Sequence, residues 1–129
     1  MEKKKILIVD DDAELLDSLK AILESHEYII EVAKDGKSGL EMLKITKPDL
    51  LILDIMMEST LDGFNTLHKI RDIPAFDQTP VIMFTAMSDS LGVNFRGAIE
   101  EVDSLKKVVF LEKTVNPDDL INTIKVLLP

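Results

Sequence analysis

Four short apolar runs constrain this chain more than any other feature. Ile6-Leu7-Ile8-Val9, Leu50-Leu51-Ile52-Leu53, Val81-Ile82-Met83-Phe84 and Val108-Val109-Phe110-Leu111 contain no polar residue. A strand with one wet face alternates apolar and polar side chains, so unbroken runs of this length predict strands buried on both faces. Such strands belong to a parallel sheet covered by crossover helices on both sides. The intervening segments carry the matching signal. Leu15, Leu16, Leu19, Ile22 and Leu23 recur at helical spacing and predict a helix from about Asp12 to Ser25. Tyr28 to Ala33 predicts a further strand, broken at Asp35-Gly36. Leu40, Leu43 and Ile45 then mark a second helix, closed by Pro48.

Asp62-Gly63 opens a third helix carrying Phe64, Leu67 and Ile70. Asn116-Pro117 supplies a capping side chain and a first-turn proline for the last helix, whose inner stripe is Leu120, Ile121, Ile124 and Leu127. The stretch from Met87 to Lys106, with Gly92 and Gly97, is at most partly helical. No repeat, low-complexity tract or linker interrupts the pattern. The expectation is one α/β domain over residues 1–129.

Composition narrows the function classes. With 46% hydrophobic and 30% charged residues the chain should be globular and soluble. A net charge of −9 disfavours nucleic-acid binding, which needs clustered Lys and Arg. The one basic run, Lys3-Lys4-Lys5, reads as a solvated edge. With no cysteine, disulfides, thiolate metal sites and cysteine nucleophiles are excluded. The apolar run after it is too short for a signal peptide or a membrane span, so the expected location is the cytoplasm, away from the membrane.

The polar residues that terminate the runs form a coherent set. Asp10, Asp11 and Asp12 end the first strand, Asp54 the third and Thr85 the fourth, and Lys113 follows the fifth. In an open parallel sheet, ligands bind outside the carboxyl ends of the strands, so these distant residues should converge on one cleft. Close carboxylates repel unless a cation lies among them, and an all-oxygen set favours Mg²⁺ over zinc. A hydroxyl and an ammonium suit the other oxygens of a phosphoryl group. A carboxylate can itself be the nucleophile and form an aspartyl phosphate.

At these residues the chain resembles the receiver domain of bacterial response regulators, the CheY-like family, over nearly its whole length. The resemblance rests on Ile6-Leu7-Ile8-Val9-Asp10-Asp11, Asp49-Leu50-Leu51-Ile52-Leu53-Asp54-Ile55-Met56-Met57, Asp62-Gly63-Phe64, Phe84-Thr85-Ala86 and Phe110-Leu111-Glu112-Lys113. It implies a flavodoxin-like, doubly wound five-stranded parallel sheet in the order 2-1-3-4-5 with five flanking helices. It implies Asp54 as phosphoryl acceptor, and Mg²⁺ held by Asp10, Asp11, Asp54 and the backbone carbonyl of Met56. Lys113 would pair with the phosphoryl group or with Asp54. Thr85 would be the switch hydroxyl and Phe110 the aromatic that follows it. The donor would be a sensor histidine kinase or a histidine phosphotransfer protein, and the output a downstream protein partner. Such a domain assists its own phosphorylation without being an enzyme in the turnover sense.

Three stretches depart from the family pattern. Met56-Met57-Glu58-Ser59-Thr60-Leu61-Asp62-Gly63 lacks the usual Met-Pro and carries an added residue, which should loosen this loop. Thr114 follows Lys113 where the family has a cis proline. A cis bond without proline costs about 2.5–4 kcal/mol, so a trans bond is expected. The stretch from Thr85 to Lys113 is longer than in most relatives, and no dimer mode follows from it.

Plainer readings compete for each residue. Asp10 and Asp11 could serve as helix caps, although Asp12 suffices for that. Thr85 could be an ordinary β-branched strand residue, and Lys113 a solvated lysine. Phe110 suits core packing as well as a switch. Tyr28 reads as structural, His26 and His68 as surface residues, and the six methionines as adaptable packing. Two other functions remain open: a receiver-like interaction module that is never phosphorylated, and a haloacid-dehalogenase-type phosphatase with Asp10 as nucleophile and Asp12 as acid/base. The second would leave Asp54 without a role and lacks a Thr or Gly soon after Asp12. No glycine-rich loop follows the first strand, against a dinucleotide site.

The resemblance also places Met56 and Met87 beside the path of the hydrolytic water, where two bulky apolar side chains should hinder in-line attack. Replacing both with small polar residues should shorten the lifetime of the phosphoryl group, followed by the decay of phosphoprotein after removal of the donor. Unchanged decay would discard this account.

Overall fold

A computed structural model of the chain describes residues 3–54, 62–85, 107–112 and 116–128. Its centre is the strand the apolar runs foretold. Strand β1 (Lys5–Val9) is followed by helix α1 (Ala13–Ser25), β2 (Ile29–Ala33), α2 (Gly36–Thr46), β3 (Leu50–Asp54) and α3 (Asp62–Arg71). Then come a 3₁₀ turn (Pro74–Phe76), β4 (Val81–Thr85), β5 (Val108–Glu112) and α4 (Pro117–Leu127). All strand pairings are parallel, in the order β2-β1-β3-β4-β5. The expected parallel sheet and its strand order both hold; four of the five expected helices lie among the described residues, and the stretch from 86 to 106 lies outside them. From β1 the chain goes out to β2 on one side and returns to β3 on the other, which creates a crevice beyond the ends of β1 and β3.

Side chains that alternate along each strand sort into two cores. Ile6, Ile8, Leu50, Ile52, Ile82 and Phe84 face α1 and α4, whose Leu16, Leu19, Leu23, Leu120, Ile121 and Ile124 complete that layer. Leu7, Val9, Leu51, Leu53, Val81 and Met83 face the other way, onto Leu43 of α2 and Leu67 and Ile70 of α3. Helix starts follow local chemistry. Asp12 accepts from the N–H groups of Glu14 and Leu15 at 3.1 and 3.2 Å. Asn116 accepts from that of Asp118 at 2.7 Å and Asp35 from that of Ser38 at 2.7 Å, which holds the Asp35 carboxyl below its usual pKa.

Some expectations change. Ile45 is 76% exposed, so it lies outside the inner stripe of α2 that its spacing suggested. The side chain of Phe64 lies outside the described part of α3. Tyr28 immediately precedes β2 and packs on the α1 side of the sheet, where burial pushes its phenol pKa up. His26 and His68 are exposed, as expected. The 3₁₀ turn had no counterpart in the sequence reading. Buried Phe76 and a 2.9 Å hydrogen bond from Arg71 Nη1 to the Phe76 carbonyl hold it to the end of α3. Among the described residues, no helix is long and apolar enough to cross a membrane.

Gly39 is where α2 meets the sheet most closely. A Cβ there would lie 2.9 and 3.1 Å from the two γ-methyls of Val9, a buried residue whose branched side chain has little freedom to turn away. Overpacking of this kind costs about 1–3 kcal/mol, against a gain in helix propensity of about 1 kcal/mol for Gly→Ala. Gly39→Ala should therefore lower the stability measured by urea unfolding, although alanine is the better helix former.

Candidate functional site

The crevice beyond β1 and β3 collects the acidic residues. The N–H of Asp10 donates to the Ala33 carbonyl at 3.0 Å, extending the β1–β2 ladder by one residue past Val9. That bond fixes the backbone from which Asp10 projects. Its side chain is only 1% exposed, and its Oδ1 accepts from the N–H of Asp12 at 2.9 Å. Asp12 thus has two tasks, capping α1 with its carboxylate and holding Asp10 with its N–H. The second was not visible in the sequence. Asp11, between them, is exposed.

Asp54 closes β3, pairs in register with Phe84 and is 2% exposed. Asp10, Asp11 and Asp54 each offer a carboxylate oxygen, and these oxygens lie within 4.8 Å of one another. The three residues expected to form the acidic centre therefore do come together, from positions far apart in the chain. Like charges this close repel strongly at the edge of a low-dielectric interior. An all-carboxylate donor set fits a hard divalent cation and not the nitrogen and sulfur preferences of zinc. The cluster could hold such an ion.

The other expected residues are placed in part. Thr85 ends β4 at the same edge of the sheet, in register with Glu112, but its hydroxyl lies outside the described part. Phe110 lies in edge strand β5 opposite Met83, half-buried against the core on the α2–α3 side. Core packing is thereby established for Phe110. Met56, Met87, Lys113 and the bond from Lys113 to Thr114 lie outside the described residues.

Comparison with known proteins agrees with this fold. A family model of the response regulator receiver domain matches residues 6–125. The chain is 33% identical over 124 residues to the response regulator MprA of Mycobacterium ulcerans, covering 96% of this chain and 50% of that protein. It is 45% identical over 87 residues to the transcriptional regulatory protein CpxR of Escherichia coli, covering 67% of this chain and 35% of that protein. The chain thus spans half or less of the length of these curated relatives. A CheY-like receiver domain protein from Methanospirillum hungatei superposes with a TM-score of 0.81 at 30% identity, over 97% of this chain and 93% of its own.

Ion binding to the folded cluster should appear as added stability. At about a hundred times its dissociation constant, a hard divalent cation raises folding stability by about 2.7 kcal/mol if it binds only the folded state. Calorimetric unfolding with and without the ion should show this increment in the native chain, and Asp11→Asn, an exposed change, should remove most of it.

Proposed function

The chain belongs to the response regulator receiver family, and on that premise we propose that Asp54 accepts a phosphoryl group with Mg²⁺ bound beside it, switching a surface recognised by a protein partner. The observation that carries this reading is the meeting of Asp10, Asp11 and Asp54 at the carboxyl ends of β1 and β3. Asp10 and Asp11 would hold the ion with Asp54 and the carbonyl of Met56. When bound, Mg²⁺ neutralises the crowded carboxylates and the phosphoryl oxygens. A carboxylate oxygen of Asp54 attacks phosphorus as the bond to the leaving imidazole breaks, so donor and acceptor exchange one phosphoryl group and no other reactant is consumed.

Lys113 follows β5 directly and supplies positive charge to the transferred group. Thr85 ends β4 next to β5, a place from which a hydroxyl can engage a phosphoryl oxygen, and Phe110 on β5 follows that movement. The donor is a sensor histidine kinase or a histidine phosphotransfer protein, in the cytoplasm, and residues 1–129 act as one receiver domain. The family is not a classical enzyme family; the domain helps its own phosphorylation and dephosphorylation and does no other chemistry. Its net charge of −9 argues against direct contact with nucleic acid.

Incubation with acetyl phosphate and Mg²⁺, followed by intact mass, tests this directly. The native chain should gain one phosphoryl mass only when Mg²⁺ is present, and Asp54→Asn should gain none. A gain that survives in Asp54→Asn and vanishes in Asp10→Asn would point to the phosphatase-type reading. No gain in the native chain as well as in Asp54→Asn would identify a phosphorylation-independent interaction module.

A further inference from the structure

Away from the acidic crevice, α2 and α3 run side by side over the sheet and enclose an open groove of about 580 Å³. Its lining carries three lysines against two acids. Lys37 and Lys44 from α2 and Lys69 from α3 stand exposed around it, with Asn65 beside them. The floor includes half-buried Leu40 and Thr66, which is 5% exposed. Two acids share the groove. Asp35 is engaged as the cap of α2, and Glu41 lies between the two α2 lysines in sequence. Helix α1 contrasts with it, carrying Glu14, Asp17 and Glu24 with a single lysine, Lys20.

Charge asymmetry of this kind acts locally. At physiological salt the screening length is about 8 Å, so a ligand in the groove responds to the nearby lysines far more than to the net charge of the domain. The spacing is informative too. Lys37 and Lys44 are two turns apart on α2, about 10 Å along the axis. Carboxylates three residues apart on a peptide in the extended polyproline-II form share one face and lie about 9 Å apart, nearly the same distance. The groove is open and mostly polar, whereas small-molecule sites are enclosed and mostly apolar, which favours a peptide over a compact ligand.

We propose that the α2–α3 groove is a docking site for an extended acidic peptide segment of a partner protein, with its carboxylates on Lys37, Lys44 and Lys69 and its intervening apolar side chains on Leu40. This surface is separate from the phosphoryl-acceptor reading and does not depend on it.

Fluorescence anisotropy of a labelled peptide of repeating Glu-Val-Thr, titrated with the native chain, provides the test. The peptide should bind, a Lys-Val-Thr peptide should not, and affinity should fall with salt. Lys37→Glu, Lys44→Glu and Lys69→Glu together should weaken binding at least about tenfold, since each exposed pair contributes roughly 0.2–1 kcal/mol and reversal adds repulsion. The gentler triple change to Gln should weaken it by a smaller factor, and Glu41→Gln should strengthen it. Lys20→Glu, Lys107→Glu and Lys125→Glu together impose the same change in net charge elsewhere and should leave the affinity nearly unchanged. Absence of binding, or equal loss in the two Glu triples, would overturn the proposal.

Discussion

Burial of β1 and β3 on both faces is the constraint from which the rest of this structure follows. Ile6, Leu7, Ile8, Leu50, Leu51 and Leu53 have no exposure at all. Each such side chain contributes about 1.5–3 kcal/mol relative to an exposed one, so leaving either face uncovered would forfeit a large share of the folding free energy. Two layers of helix are needed, α1 with α4 and α2 with α3. Parallel strands supply them, because each return to the sheet requires a crossover. The carboxyl ends of the parallel strands then all lie at one edge. Asp10 and Asp54 stand at that edge.

The same burial makes the site electrostatically costly. Asp10 and Asp54 end the two most buried strands and remain almost wholly covered, with exposed Asp11 beside them. A sequence optimised only for stability would not crowd three carboxylates there. The crowding is the physical reason a hard divalent cation could be accommodated there. The backbone bond from Asp10 to the Ala33 carbonyl and the Asp12 N–H on Asp10 Oδ1 hold Asp10 in place.

Much of this was legible in the residues. Four of the five strands are unbroken apolar runs, and α1 and α4 begin at the capping side chains the sequence offers, Asp12 and Asn116, whereas the capping role of Asp35 emerges only in the structure. The acidic centre was legible because each member ends a strand. Ile45 misled because helical periodicity leaves the edge of the stripe ambiguous by one position; it lies on the solvent side while Leu43 is buried. The turn at Pro74–Phe76 gave little signal, since a 3₁₀ turn has no period of its own and is held by Arg71 reaching the Phe76 carbonyl. The second task of Asp12 was hidden for a similar reason, as it depends on where a backbone N–H points.

By itself the sequence determined the kind of sheet, the count of its strands, the starts of helices and which residues sit at strand ends. These are local matters of hydrophobic periodicity and capping, written within a few neighbouring residues. Only the tertiary structure decided that Asp10, Asp11 and Asp54 bring oxygens within 4.8 Å, that Gly39 must admit Val9, and that α2 and α3 share one lysine-edged groove. Those outcomes depend on register and on the close packing of helix against sheet. Both are set by the simultaneous fit of segments distant in the chain, which no local pattern encodes.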